Sequence, residues 1–424
     1  MGVAKLSITF FLQMAIILAT CRVIGWLGQK YLKQPQVVCE MIAGVLLGPS
    51  LFGLLAPDIQ KLVFTPDNKG VLYVGAQFGV GLYMFLVGLG FRTDHFKSNV
   101  HKAASVSVAG MAVPFGVAIL LTPWLMTVPG LFASSASRFD ATLFMGAAIA
   151  ITAFPMLARI IHERGLAGTS LGTLALTAGA VDDAAAWCIL AVVLASFSGA
   201  WGGAYLAIGG GIAYGLFMVL IGSKLLKRLS AHVKPDQPLG STLFAVLLIL
   251  FCLSAWAMDA IGIHAVFGGF LLGASLPKGP LVEKLREQLQ PFVVVFLLPM
   301  FFTYSGLNTR LGVVLDPAIT MAAIAILLAS FCGKGVACWA AARLTGENNR
   351  EAMAIGSLMN ARGLMELIII NIGLSAGVIE PGLFSILVLM AILTTLAATP
   401  LFNWVMRSRE PTALPLQEAR SAGG

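Results

Sequence analysis

The sequence predicts an all-α polytopic membrane protein with about thirteen transmembrane helices, built as two inverted-topology repeats with two broken helices. Three observations predict it. Of 424 residues, 58% are hydrophobic and 11% charged, against about 45–50% and about 25% in an ordinary soluble domain. The apolar residues fall in blocks of roughly twenty, the length that crosses about 30 Å of hydrocarbon. Two motifs also recur in the same order: GVLLGPSL at 44–51 with GFLLGASL at 269–276, and MFLVGLGFRT at 84–93 with MFFTYSGLNT at 300–309.

Taken in order, spans are expected near residues 6–28, 35–55, 70–91, 103–126, 141–161, 170–197, 203–223, 240–259, 262–276, 289–308, 317–342, 351–377 and 381–406. The first, from Leu6 to Leu27, is too long for a signal-peptide core and reads as a retained span. The second carries Glu40 after its QPQVV entry, placed toward the cytoplasmic end. The repeated motifs pair span two with nine and three with ten. That offset of seven spans is odd, so the halves run in opposite directions. Inverted repeats of this kind belong to secondary transporters with midplane sites on discontinuous helices. Span seven, with Gly209, Gly210 and Gly211, links the halves as a hinge or a close-packing element.

The repeat then pairs span five with twelve, and each is expected to be interrupted. Span five contains AIAITAFPMLARI, where Pro155 removes a backbone donor and crowds the preceding turn. Span twelve contains SLMNARGLMELI, with Asn360, Arg362, Gly363 and Glu366 at the matching place. Unwound backbone at membrane depth is tolerated where protein buries it or it lines a cavity.

Charge sets the orientation. Of 27 Lys and Arg residues, 20 fall in the odd-numbered connections and the C-terminal tail, against 5 in the even-numbered ones and the N-terminus. The N-terminus is therefore expected outside and the C-terminus in the cytoplasm. The net charge of +8 reflects those loops, and no basic domain suggests nucleic-acid binding. All six cysteines lie in apolar spans without metal-ligand spacing, and the five His are scattered, so no cofactor or zinc site is expected. No nucleophile–base pair appears either, so an enzyme is the least expected class.

The chemistry concentrates in span six, LGTLALTAGAVDDAAAWCILAVVLASFS, around Asp182 and Asp183. One Asp at the bilayer centre costs about 2.5–3.5 kcal/mol on insertion scales, and intramembrane charges are functional by default. Adjacent helical residues point about 100° apart. One acid can therefore brace a neighbouring helix while the other faces a cavity. Lys334, deep in span eleven, needs a carboxylate partner, and either Asp fits. Arg362 and Glu366, four apart, share a helix face and read as neutralising the broken helix. Thr152 offers a hydroxyl at the break, either to a cation or back to its own helix.

The stretches ITAFPMLARIIHERG, TAGAVDDAAAW, LLPMFFTYSGLNT and MNARGLMELIIINIG resemble the monovalent cation:proton antiporter-2 family, which includes bacterial Na+/H+ and K+/H+ antiporters and the plant cation/H+ exchangers. The likeness runs over nearly the whole chain. It implies the sodium/proton antiporter fold, antiport of Na+ or K+ against H+ by alternating access, and a homodimer in the cell (plasma or inner) membrane. It implies dimerisation-domain helices in 1–100 and 236–312, core helices in 101–200 and 313–406, a linker helix in 201–235 and a short tail in 407–424. Carried over residue by residue, Asp183 matches the cation- and proton-binding acid, Asp182 its neighbour paired with Lys334, and Thr152 a polar residue at the helix crossing. Asp182 departs from the Asn usual in plant members and favours the bacterial sodium type. With about eighteen residues after span thirteen, the nucleotide-binding tail of potassium-efflux members is not expected. Competing readings are a Na+-coupled organic-solute symporter on the same fold, and a non-transporting sensor or ion channel, for which no filter-like stretch is visible.

Overall fold

The computed structural model describes residues 3–32, 34, 36–90, 100–166, 169–198, 201–231, 233, 237–262, 265–310, 312 and 316–406; the side chains of some of these, Pro155, Asp183 and Cys188 among them, lie outside that description. The helices run α1 (Val3–Leu27), α2 (Gln36–Leu47), α3 (Phe52–Leu55), α4 (Pro57–Val63), α5 (Pro66–Gly90), α6 (Val100–Leu125), α7 (Arg138–Ala150), α8 (Phe154–Glu163), α9 (Ser170–Ser198) and α10 (Trp201–Phe217). They continue with α11 (Ser223–Ser230), α12 (Ser241–Ala260), α13 (Ala265–Ser275), α14 (Pro280–Phe292), α15 (Leu298–Leu307), α16 (Pro317–Leu344), α17 (Asn349–Leu358), α18 (Leu364–Ser375) and α19 (Pro381–Met406). Among the described residues the one β pairing is an isolated bridge between Phe132 and Ile379.

The protein is an all-α polytopic membrane protein. Helix lies on each of the thirteen apolar segments, and nine helical runs among the described residues are long and apolar enough to cross a membrane. Large apolar side chains such as Leu120, Trp256 and Trp404 face outward, as expected where the solvent is lipid. Span ten begins earlier than its hydropathy indicated. The amphipathic α14, started by Pro280, runs through a π-helical turn at Val293–Leu297 into α15.

The repeated motifs have a physical reason. Gly44 and Gly48 lie directly against the backbone of Phe302 and Gly306. Their repeat equivalents, Gly269 and Gly273, lie against Gly81 and Phe85 in the same manner. Small residues let membrane helices approach backbone to backbone, where dispersion replaces the missing hydrophobic drive. The packing of α2 on α15 is thus the counterpart of α13 on α5. A Cβ on Gly306 would overlap the backbone of Gly44. Gly306→Ala is expected to lower thermal stability in detergent by about 1–3 kcal/mol, the usual cost of overpacking. Gly116→Ala, where a Cβ meets open space, is the control and should melt no lower than the wild type.

The second group of helices follows the same two-fold logic. α6 packs on α7 and α9, and α16 packs on α17 and α19. α6 and α16 also pack on each other. α7 is capped by Ser137, whose hydroxyl accepts from the Asp140 N–H, and α17 by Asn348, whose side chain accepts from the Glu351 N–H. An acid three residues after the cap sits in the first turn of both helices, where the positive end of the dipole favours it.

Candidate functional site

Both predicted interruptions are present. α7 stops at Ala150 and its continuation, α8, begins at Phe154; Ile151 between them is extended. Pro155 is the second residue of α8, a position where a missing N–H costs nothing. α17 stops at Leu358 and α18 begins at Leu364. The two breaks meet: the Ala153 N–H donates to the Ala361 carbonyl at 3.0 Å. Gly363 lies against Ala153 and Met156, so the second break is held close to the first.

Broken helices expose orphan carbonyls. Arg362 satisfies those of α7. Its Nη1 donates to the carbonyls of Ala148 and Ile151 at 3.0 and 3.2 Å, and its Nη2 to Ile149 at 2.6 Å and to Ser330. The guanidinium therefore places a fixed positive charge at the negative end of the α7 dipole. The Arg362 N–H donates to Thr395 Oγ1 at 2.9 Å, which ties the break to α19. Glu366, in the first turn of α18, has Oε1 at 3.4 Å from Arg362 Nη1. The two are paired as the four-residue spacing anticipated.

Beside the crossing, α9 presents Asp182, fully buried. Its Oδ1 accepts from Ser107 Oγ at 2.6 Å. Its Oδ2 accepts from Thr152 Oγ1 at 2.8 Å and from Lys334 Nζ at 2.9 Å. Lys334 is also fully buried, and its ammonium donates further to the carbonyls of Gly110, at 3.2 Å, and Ala150. Thr152 Oγ1 lies 3.0 Å from the Met359 carbonyl, across the crossing. Two helices, α6 and α16, and one break thus converge on a single carboxylate of α9. An acid so deep is tolerable because an ammonium and two hydroxyls compensate it. The arrangement offers hard oxygen ligands, a carboxylate, a hydroxyl and freed carbonyls, of the kind an alkali cation takes.

The sodium/hydrogen exchanger transmembrane family model matches residues 14–407. The chain belongs to the sodium/hydrogen exchanger family. Its relatives include the Na(+)/H(+) antiporter NhaS4 of Synechocystis sp., 40% identical over 91% of this chain and 94% of that one. Cation/H(+) antiporter 17 of Arabidopsis thaliana is 34% identical over 92% of this chain, and K(+)/H(+) antiporter 1 of Saccharomyces cerevisiae is 31% identical over 93%. The chain spans about half the length of the plant and yeast relatives, 47% and 46%.

In this family member, Thr152, Asp182 and Lys334 come together as the sequence anticipated, and Lys334 takes Asp182 as its carboxylate. Asp183 occupies the next position of α9, with its side chain outside the described residues. Thr152 turns away from its own helix and toward Asp182, so back-bonding is not its use here. Asn360, buried, donates to the Gly356 carbonyl at 3.1 Å and shapes the end of α17. Glu40 is buried in α2, with Oε1 accepting from Gln36 at 2.7 Å. Gly209 meets open space and Gly210 packs on Ile261, within a continuous α10. Sequence reasoning missed Ser107, Ser330 and Thr395. Each is one small polar residue in an apolar span, a pattern too common to single out without its tertiary partner.

Proposed function

We propose that this exchanger moves a monovalent cation, Na+ or K+, against H+ across the cell membrane by alternating access, with Asp183, Asp182 and Thr152 holding the cation or the proton and Lys334 as charge partner. Antiport follows from membership of the family and from relatives named as Na(+)/H(+) and K(+)/H(+) antiporters. The observation that carries the site assignment is the fully buried Asp182 at the crossing of two broken helices, bonded to Thr152 and Lys334. A carboxylate pair that takes either a proton or a cation, not both, enforces exchange. An empty, uncompensated pair is too costly to carry across the apolar barrier, which suppresses leak.

The packing supports a division of labour. Helices α6 to α9 and α16 to α19 would form the moving core, and α1 to α5 with α12 to α15 the dimerisation domain, joined by α10 and α11. A homodimer with its N-terminus outside and C-terminus cytoplasmic completes the reading, the orientation resting on the loop charges. The deciding experiment is collapse of an imposed pH gradient in everted vesicles by Na+, K+ and Li+. No collapse with any of the three would refute cation/proton exchange.

Competition at one site has a second consequence. Apparent cation affinity is expected to weaken steadily as pH falls, because protons occupy the same oxygens. Dequenching titrations in proteoliposomes at a series of pH values measure this. An affinity independent of pH would rule out a shared site.

A further inference from the structure

At the helix crossing, one buried acid is left over by this mechanism. Glu366 is 1% exposed, in the first turn of α18 beside the helix crossing. Among the described residues, none donates a hydrogen bond to either of its carboxyl oxygens. Among the described residues its one close counter-charge is Arg362, at 3.4 Å. That guanidinium, however, is already committed to the carbonyls of Ala148, Ile149 and Ile151 and to Ser330. Asp182 shows the contrast: it is equally buried, yet both its oxygens receive donors. Among the described residues, Glu366 has only the shared guanidinium.

The position links Glu366 to the cation site. Ile151, whose carbonyl holds Arg362, immediately precedes Thr152, whose hydroxyl bonds Asp182. α19, which packs on α18, contributes no ionisable group, and the ionisable residues of α7, Arg138 and Asp140, lie in its first turn, at the end opposite the break. Among the described residues, the charge facing Glu366 is therefore Arg362, which also holds the Ile151 carbonyl beside Thr152.

We infer that Glu366 is a second proton-exchanging group of the transport cycle, coupled to cation binding through Arg362 and the break between α7 and α8. An ionised carboxyl that has only a shared guanidinium beside it in this interior carries a cost, which a proton removes. A cation arriving at Thr152 and the Asp pair adds positive charge to the pocket and favours loss of that proton. When the cation leaves, the proton returns. No bond other than O–H forms or breaks, and the proton passes to or from the water of the open side. This inference rests on the antiporter reading, and it adds a proton that the Asp pair does not account for.

The test is proton release on cation addition. Purified full-length protein in weakly buffered detergent, with a pH indicator, receives saturating Na+ or K+ over the pH range in which vesicles show exchange. Glu366→Gln, which keeps the shape and removes the titratable group, is expected to release about half as many protons as the wild type, because one of two coupled groups is gone. It should retain cation-driven release from the Asp pair. Equal release by Glu366→Gln and wild type at every pH would overturn the inference. If Glu366→Gln fails to fold, Glu366→Asp decides: it should release the wild-type number of protons along a displaced pH curve, and an unchanged curve overturns the inference. Absence of release from the wild type itself would instead refute the antiporter reading.

Discussion

Asp183→Asn is expected to reduce cation-driven proton movement to the background of empty liposomes, while the protein inserts, purifies and melts as the wild type does. Asn has nearly the volume of Asp but no titratable charge, so it can neither release a proton at working pH nor supply an anionic oxygen to the cation. The loss falls on the whole cycle because the site must be neutralised, by proton or cation, before it crosses the barrier. Family membership and the placement of Asp183 beside the buried Asp182 on α9 motivate the choice. Fold is expected to be unaffected because the bracing of α9 runs through Asp182, which receives Ser107, Thr152 and Lys334. Proton movement at wild-type rate in reconstituted Asp183→Asn would remove Asp183 from the site.

The second large effect is on stability. Lys334→Gln is expected to lower the melting stability in detergent by about 3–5 kcal/mol, the cost of breaking a buried ion pair by deleting one partner. All three ammonium protons have acceptors, in Asp182 and the carbonyls of Gly110 and Ala150. The substitution leaves Asp182 charged with two hydroxyl donors and no counter-charge, and leaves a carbonyl at the end of α7 without its donor. The double substitution Lys334→Gln with Asp182→Asn is expected to recover most of the loss, since two neutral amides replace two charges. A double-mutant cycle on the four proteins isolates the coupling. Additive losses would show that Lys334 stabilises the core through the carbonyls alone.

The same ammonium bears on charge movement. If cation binding displaced Lys334 from Asp182, the carbonyls of Gly110 and Ala150 would remain as its acceptors. Two N–H groups suffice for those two carbonyls, so loss of the third proton would leave both bonds intact. Reconstituted Lys334→Arg, whose guanidinium cannot deprotonate in this range, separates the cases. If wild-type exchange responds to membrane potential and Lys334→Arg remains equally responsive, the charge is carried elsewhere.

Much of this protein is determined by the sequence by itself. Hydropathy places the membrane helices because every backbone group in hydrocarbon must be satisfied within its own segment. The repeated GxLLG motifs mark the symmetry because only glycine lets Gly44 and Gly306 touch backbone to backbone. Pro155 and the NARG stretch mark the breaks because neither continues a helix readily. The acids of α9 declare a site because nothing about packing calls for them there. What only the tertiary structure decided is partnership. Lys334 could have met Asp182 or Asp183. Ser107, Ser330 and Thr395 carried no signal until α6, α16 and α19 brought them to Asp182 and Arg362. Arg362 looked like a partner for Glu366 alone, and instead spends its donors on the carbonyls of α7, more than 200 residues earlier in the chain. Hydrogen bonds across such separations depend on where the helices cross, and local periodicity does not encode the crossing.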